Sequence, residues 1–178
     1  MSAVLDIRAA GPADAEAIVA LNRRVAAEAA QFLAYDIDPV TGADMLKAKL
    51  AAGPGGDRVL VAAAAEGTLV GMLLLRRHLH HADQGVRQLG LAVDPDRRRQ
   101  GIGRRLVRTA LVSARAASVR RIQIAVVADN RPALDLFHRE GFSIEGRLVE
   151  AAEIDGRRID VLAMGLRLES LPPPPPAV

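Results

Sequence analysis

The residues best placed to do chemistry lie in the run Arg98-Arg99-Gln100-Gly101-Ile102-Gly103-Arg104, between an apolar segment ending at Val93-Asp94-Pro95 and a long helical pattern. A helix N-terminus carries unpaired backbone N–H groups and the positive end of the helix dipole. Glycines there let an anion approach the main chain. Arg98, Arg99 and Arg104 add full positive charge at that point, so the chemistry on offer is phosphate recognition. A Rossmann turn would read Gly-x-Gly-x-x-Gly after the first strand, and a Walker loop would end in Gly-Lys-Ser or Gly-Lys-Thr. Neither is present. Gly-x-Gly alone also suits any turn that needs glycine.

A second constellation follows downstream in Asn130-Arg131-Pro132-Ala133-Leu134-Asp135-Leu136-Phe137-His138-Arg139-Glu140-Gly141-Phe142. Taken together, the two segments resemble the GNAT superfamily of N-acetyltransferases. That family's turn reads Arg or Gln, two residues, Gly, one residue, then Gly or Ala, and Arg98, Gly101 and Gly103 fill those places. Its later signature is filled by Asn130, Ala133, Phe137, Gly141 and Phe142. The resemblance spans residues 89–147. Glu145-Gly146-Arg147 and the Asp155-Gly156 turn look like the branch containing ribosomal-protein N-terminal and amino-acid N-acetyltransferases.

The resemblance implies acetyl-CoA as co-substrate, without a metal. The strand ending at Val93 and the one starting at Ile122 should splay apart, with the pantetheine arm pairing with the main chain of Leu91, Ala92 and Val93. The pyrophosphate should sit on N–H groups of Arg99, Gln100, Gly101, Ile102, Gly103 and Arg104, with Arg98 nearby. Asn130 should contact the arm or cap the next helix, and Ala133 and Phe137 should border the cofactor. Transfer should be direct: a neutral amine attacks the thioester, and a backbone N–H near Ala92 steadies the oxyanion, with no covalent enzyme intermediate.

Departures from the pattern concern proton transfer. Many members carry a Tyr that protonates the leaving thiolate where this chain has Phe137. Its one tyrosine, Tyr35, is the candidate substitute acid, against an ordinary surface packing role. A Glu serving as base in some members falls near Gln88, which accepts no proton. Glu28 or Asp36 could act through water, although either could equally be a solvated surface carboxylate. His78 and His80 would share a strand face. A structural role is favoured for them over a metal site, because only Asp83 stands near and the further ligands are missing. His138 should face away from Phe137, toward solvent.

The elements that must hold these residues follow from periodicity. Strands are expected at 4–8, 59–65, 69–75, 86–93, 122–127, 143–154 and 157–168. Helices are expected from the Gly11-Pro12-Ala13-Asp14 cap to 30, over 43–52 and 101–117, and from Pro132 to Gly141. Gly53-Pro54-Gly55-Gly56 breaks the second helix, and Asp155-Gly156 closes a hairpin. The order is β-α-α-β-β-β-α-β-α-β-β, an α+β unit. The resemblance adds a mixed, mostly antiparallel sheet of about seven strands with helices on both faces. Residues 1–170 should form a single domain, and 171–178, with five consecutive prolines, a disordered tail.

Composition narrows the field. The chain has 178 residues, no cysteine and only 2% aromatics, so thiolate chemistry, disulfides and Cys-based zinc sites are excluded. Few aromatics and one basic turn argue against nucleic acid as partner. No apolar run reaches the length of a membrane span, so a soluble cytoplasmic protein without membrane partners is expected. A homodimer is expected only because similar proteins often form one. The acceptor, an amino acid, small-molecule amine or peptide N-terminus, is left open. So are two alternatives: a non-catalytic acyl-CoA sensor, motivated by Phe137 and Gln88, and transfer of a different acyl group.

Overall fold

The structure, a computed structural model, describes residues 5–29, 42–51, 57–77, 85–154 and 156–170. Seven strands, β1 (Asp6–Ala9), β2 (Arg58–Ala63), β3 (Leu69–Arg77), β4 (Val86–Val93), β5 (Arg121–Val127), β6 (Ser143–Ile154) and β7 (Arg157–Arg167), form one sheet in the order β1-β2-β3-β4-β5-β7-β6. Only β4 and β5 run parallel; the other neighbours are antiparallel. The helices are α1 (Ala15–Ala29), α2 (Ala43–Ala51), α3 (Ile102–Ala116) and α4 (Arg131–Arg139). Element order, strand count and mixed topology agree with the expectation, and boundaries differ by two residues at most. The Pro-rich tail, the Gly53–Gly56 break, Tyr35, Asp36, Asp83, Asp155 and the histidines at 78, 80 and 81 lie outside the described residues.

The sheet is apolar on both faces because strand side chains alternate. In β2, Leu60 and Ala62 join one cluster while Val61 and Ala63 join the other. The first face receives α3 through Ile102, Leu106, Val107, Ala110, Leu111 and Ala114, and α4 through Leu134 and Phe137. The second receives α1 through Ile18, Leu21 and Val25. Helices therefore cover both faces. Gly71 on β3 sets how closely α3 lies: a Cβ there would stand 2.9 Å from Ile102 and 3.0 Å from Leu106.

At the α1 end, Arg8 donates to both Asp14 carboxylate oxygens at 2.7 Å, and the Gly11 N–H donates to Asp14 at 2.8 Å. These bonds, the Arg8 guanidinium foremost, hold the Asp14 carboxyl below its ordinary value of 3.8.

Candidate active site

The site is built where the sheet comes apart. β4 and β5 pair only over Val86–Arg121, Arg87–Ile122 and Gln88–Gln123; beyond Gln88 the two strands diverge, while β5 stays paired with β7 along its whole length. The edge of β4 from Leu89 to Val93 therefore faces a gap. The splay expected between Val93 and Ile122 is present.

Which backbone groups face the gap follows from strand alternation. The Asp94 N–H donates to Val70 O at 3.0 Å, and the β3–β4 register runs unbroken, so even-numbered β4 residues direct their N–H and C=O to β3. Odd-numbered ones direct theirs to β5, as Gly85 does by accepting from Arg120 and Arg121 at 2.8 and 3.1 Å. The N–H groups open to the gap are thus those of Leu91 and Val93. The Ala92 N–H itself belongs to the β3 ladder, so the N–H groups near Ala92 that open to the gap are those on either side of it, and its buried side chain lies on the α1 face.

The turn after β4 is held by Asp94, which is buried. Its Oδ1 accepts from the Asp96 N–H at 3.1 Å, and its Oδ2 accepts from Arg24 Nε and Nη2 of α1 at 3.0 and 2.8 Å. Arg98 reaches back to α1 as well, with Nη1 3.3 Å from Glu28 Oε1 on the surface. Glu28, a candidate base from the sequence, thus stands beside the turn after β4 as partner of one of its arginines.

The two motif glycines do different jobs. Gly101 sits at φ +78 with nothing within 4 Å of a would-be Cβ, and Arg99 before it is also at positive φ, 63. This left-handed geometry presents the turn's main chain to solvent. Gly103 faces inward instead: a Cβ there would meet Leu136 at 3.3 Å and Leu91 at 3.4 Å. It packs α3 onto β4, whereas the motif alone suggested that it made room for phosphate.

The two helix starts also differ. At α4, Asn130 Oδ1 accepts from the Ala133 N–H at 3.2 Å, so of the two roles expected for Asn130 the structure shows the cap. At α3, Gly101 is the N-cap and no side chain caps the first turn, whose leading N–H groups have no intrahelical partner. An anion of phosphate type fits this open start. Arg104 Nε and Arg108 Nε hold the two oxygens of buried Glu140 at 2.7 and 3.0 Å, which pins the arginines on the α4 side of α3. Glu140 and Arg24 carried no expectation from the sequence; the available signal for Glu140 was a charged residue just before the Gly141-Phe142 pair.

Phe137 is buried, its ring edge-on to Phe142 at 5.3 Å, so it serves the core under α4. Ala133 is half-buried at the rim, Gln100 is exposed, and His138 is exposed as expected. Gln88 lies at the last β4–β5 pair, where the strands part. A separate shallow depression lined by Arg121, Ser143, Glu145 and Arg167 lies at the start of β5, away from the gap. There the Arg121 guanidinium holds the Glu145 carboxyl below its usual range.

Comparison with known proteins matches this architecture. The model of the Acetyltransferase (GNAT) family matches residues 26–142, a stretch that contains the gap, the turn, α3 and α4. A protein of Bacillus subtilis (strain 168) named "Putative phosphinothricin acetyltransferase YwnH" is 27% identical over 166 residues, covering 92% of this chain and 99% of that protein. Among solved structures, a ribosomal-protein-alanine N-acetyltransferase from Brucella melitensis superimposes with a TM-score of 0.79 at 27% identity, covering 91% of this chain and 99% of the other. YncA from Salmonella typhimurium, solved with acetyl-CoA, has the same fold, with a TM-score of 0.83 at 23% identity over 98% of this chain and 99% of its own. The chain belongs to the GNAT acetyltransferase family and is an acetyl-CoA-dependent N-acetyltransferase. No helix among the described residues is long and apolar enough to cross a membrane.

Proposed function

We propose that the chain transfers the acetyl group of acetyl-CoA directly to a primary amine of a small molecule, amino acid or peptide N-terminus. The observation that carries this reading is the unpaired edge of β4 beside an uncapped, basic helix start. The N–H groups of residues 99–104 bind the pyrophosphate, with Arg98 and Arg99 supplying charge. The main chain of Leu91 and Val93 pairs with the amide groups of the pantetheine arm. One of these two N–H groups, on either side of Ala92, receives the developing oxyanion. When bound, acetyl-CoA supplies an activated thioester whose leaving group, with a thiol pKa near about 8.5 by analogy with cysteine, departs tolerably without a strong acid.

Glu28 is retained as a candidate for removing the amine proton through water, with Tyr35 as the candidate acid. The relatives named for phosphinothricin and for a protein alanine both present a primary amine, which supports that acceptor class. A metal has no part in this scheme. A homodimer is proposed with it, on the resemblance alone.

The test is thiol release from acetyl-CoA over a panel of amino acids, phosphinothricin-like amines, polyamines and N-terminal peptides, each against an amine-free blank. Release with one amine class is expected. Tight acetyl-CoA binding without release for any amine would favour the non-catalytic sensor.

A further inference from the structure

Asn22 of α1 is the odd residue of the second face. It is buried, 7% exposed, and its Oδ1 is the one fully buried side-chain polar atom among the described residues that has no hydrogen-bond partner. Leaving a buried carbonyl-type oxygen unpaired costs about 1–3 kcal/mol, so an apolar residue of similar size would make a more stable helix face. Such an atom calls for a partner that arrives from outside the chain.

Its location indicates which partner. Asn22 shares the stripe of α1 with Ile18 and Val25, one helical turn before and after it, and both pack in the cluster that contains Met72 of β3 and Ala92 of β4. Ala92 is the residue of the 91–93 segment whose side chain belongs to this face; Leu91 and Val93 pack with the opposite face, toward Gly103 and α3. The pyrophosphate turn and the N–H groups offered to the pantetheine arm are otherwise accounted for. Two residues along α1, Arg24 is tied to Asp94, so this stretch of helix is anchored at the mouth of the gap.

We infer that Asn22 is a substrate-binding residue whose amide oxygen accepts a hydrogen bond from an N–H of the acceptor amine, approaching Ala92 from the α1 side. An amide oxygen accepts without taking a proton, so it orients an amine and selects N–H donors over acceptors that lack them, without acting as the base. The inference rests on the acetyltransferase reading of the gap and adds to it the contact that holds the nucleophile.

The test compares the full-length parent with Asn22→Leu, and with Asn22→Ala should the leucine variant not fold. Three quantities are measured: KM for the amine that the parent acetylates, the acetyl-CoA dissociation constant by calorimetry, and the thermal midpoint without ligand. The expected result is a rise in KM of about tenfold or more, the loss of one hydrogen bond to a charged or polar amine. Acetyl-CoA affinity should stay within about twofold, and the midpoint should be equal to or above that of the parent, because the orphaned oxygen is gone.

Unchanged KM with a raised midpoint would overturn the inference and leave Asn22 a site for buried water, with acetyl transfer intact. If the parent releases no thiol with any amine, the transfer reading is what fails. In that event amines added with CoA should still raise the parent's midpoint and not that of Asn22→Leu; no rise in the parent would overturn the inference too.

Discussion

The two faces of the sheet are built from the same residue types and do different work. On the α3 side, twenty-two buried apolar residues from α3, α4, five strands and the segments that join them form a continuous cluster that holds Phe137 and Phe142. On the α1 side, eight described residues are clustered, and that face also carries the orphaned Asn22. The buried Asp94, on the turn after β4, takes its arginine from the same helix. The α3 face is a scaffold that fixes where β4 and the Gly101 turn stand; among the described residues the α1 face combines a smaller cluster with the buried polar Asn22. A site open to ligand needs such a face, because groups satisfied within the chain have nothing left to offer.

The contrast can be broken by matched core truncations. Leu106 of α3 and Leu21 of α1 are both fully buried, so Leu106→Ala and Leu21→Ala remove the same atoms from the two faces. In denaturant unfolding, Leu106→Ala is expected to cost about 3–5 kcal/mol and Leu21→Ala nearer 2–3, because the smaller cluster can relax around the cavity. Equal costs would mean that both faces are scaffold.

A smaller effect should separate binding from folding at the turn itself. Gln100→Glu puts negative charge on an exposed residue of the open helix start, so acetyl-CoA affinity should fall by about tenfold while the thermal midpoint stays put. Gly103→Ala should do the reverse, losing about 1 kcal/mol of stability from contact with Leu136 and Leu91 at little cost in affinity. Calorimetry and melting of both variants check the division of labour between the two glycines. If Gln100→Glu binds acetyl-CoA like the parent, the phosphate site has been misplaced.

The smallest expected effect is one of pH. Because the folded Asp14 carboxyl is held below its ordinary 3.8 by Arg8, its contribution is present above that value and is lost as pH falls through the lowered folded pKa. Arg8 is half exposed, so solvent screening limits the contribution to about 1 kcal/mol or less. Urea unfolding of Asp14→Asn from pH 7 to 3 should show a deficit against the parent that shrinks toward the acid end. A deficit independent of pH would show that the charge of Asp14 is not what stabilises the fold, since the amide oxygen of Asn can still accept from Gly11.

Every strand and helix described was legible in the chain because each depends on local sequence: the apolar run of β2, the 3.6-residue stripe of α3, the Asp155-Gly156 pair. The basic glycine turn was legible for the same reason, since arginines, glycines and a helix start all fall within seven consecutive residues. Local order alone set those features. Tertiary structure decided which backbone N–H groups near Ala92 face the gap, because that depends on the β3–β4 register. It also decided that Gly103 packs while Gly101 opens the turn, that Asn130 closes one helix start while the other stays free, and that Asn22 is buried without a partner. The strand register, the packing of Gly103 and the burial of Asn22 are relations between segments far apart in the chain, and no periodicity within a segment encodes what the opposite segment will present.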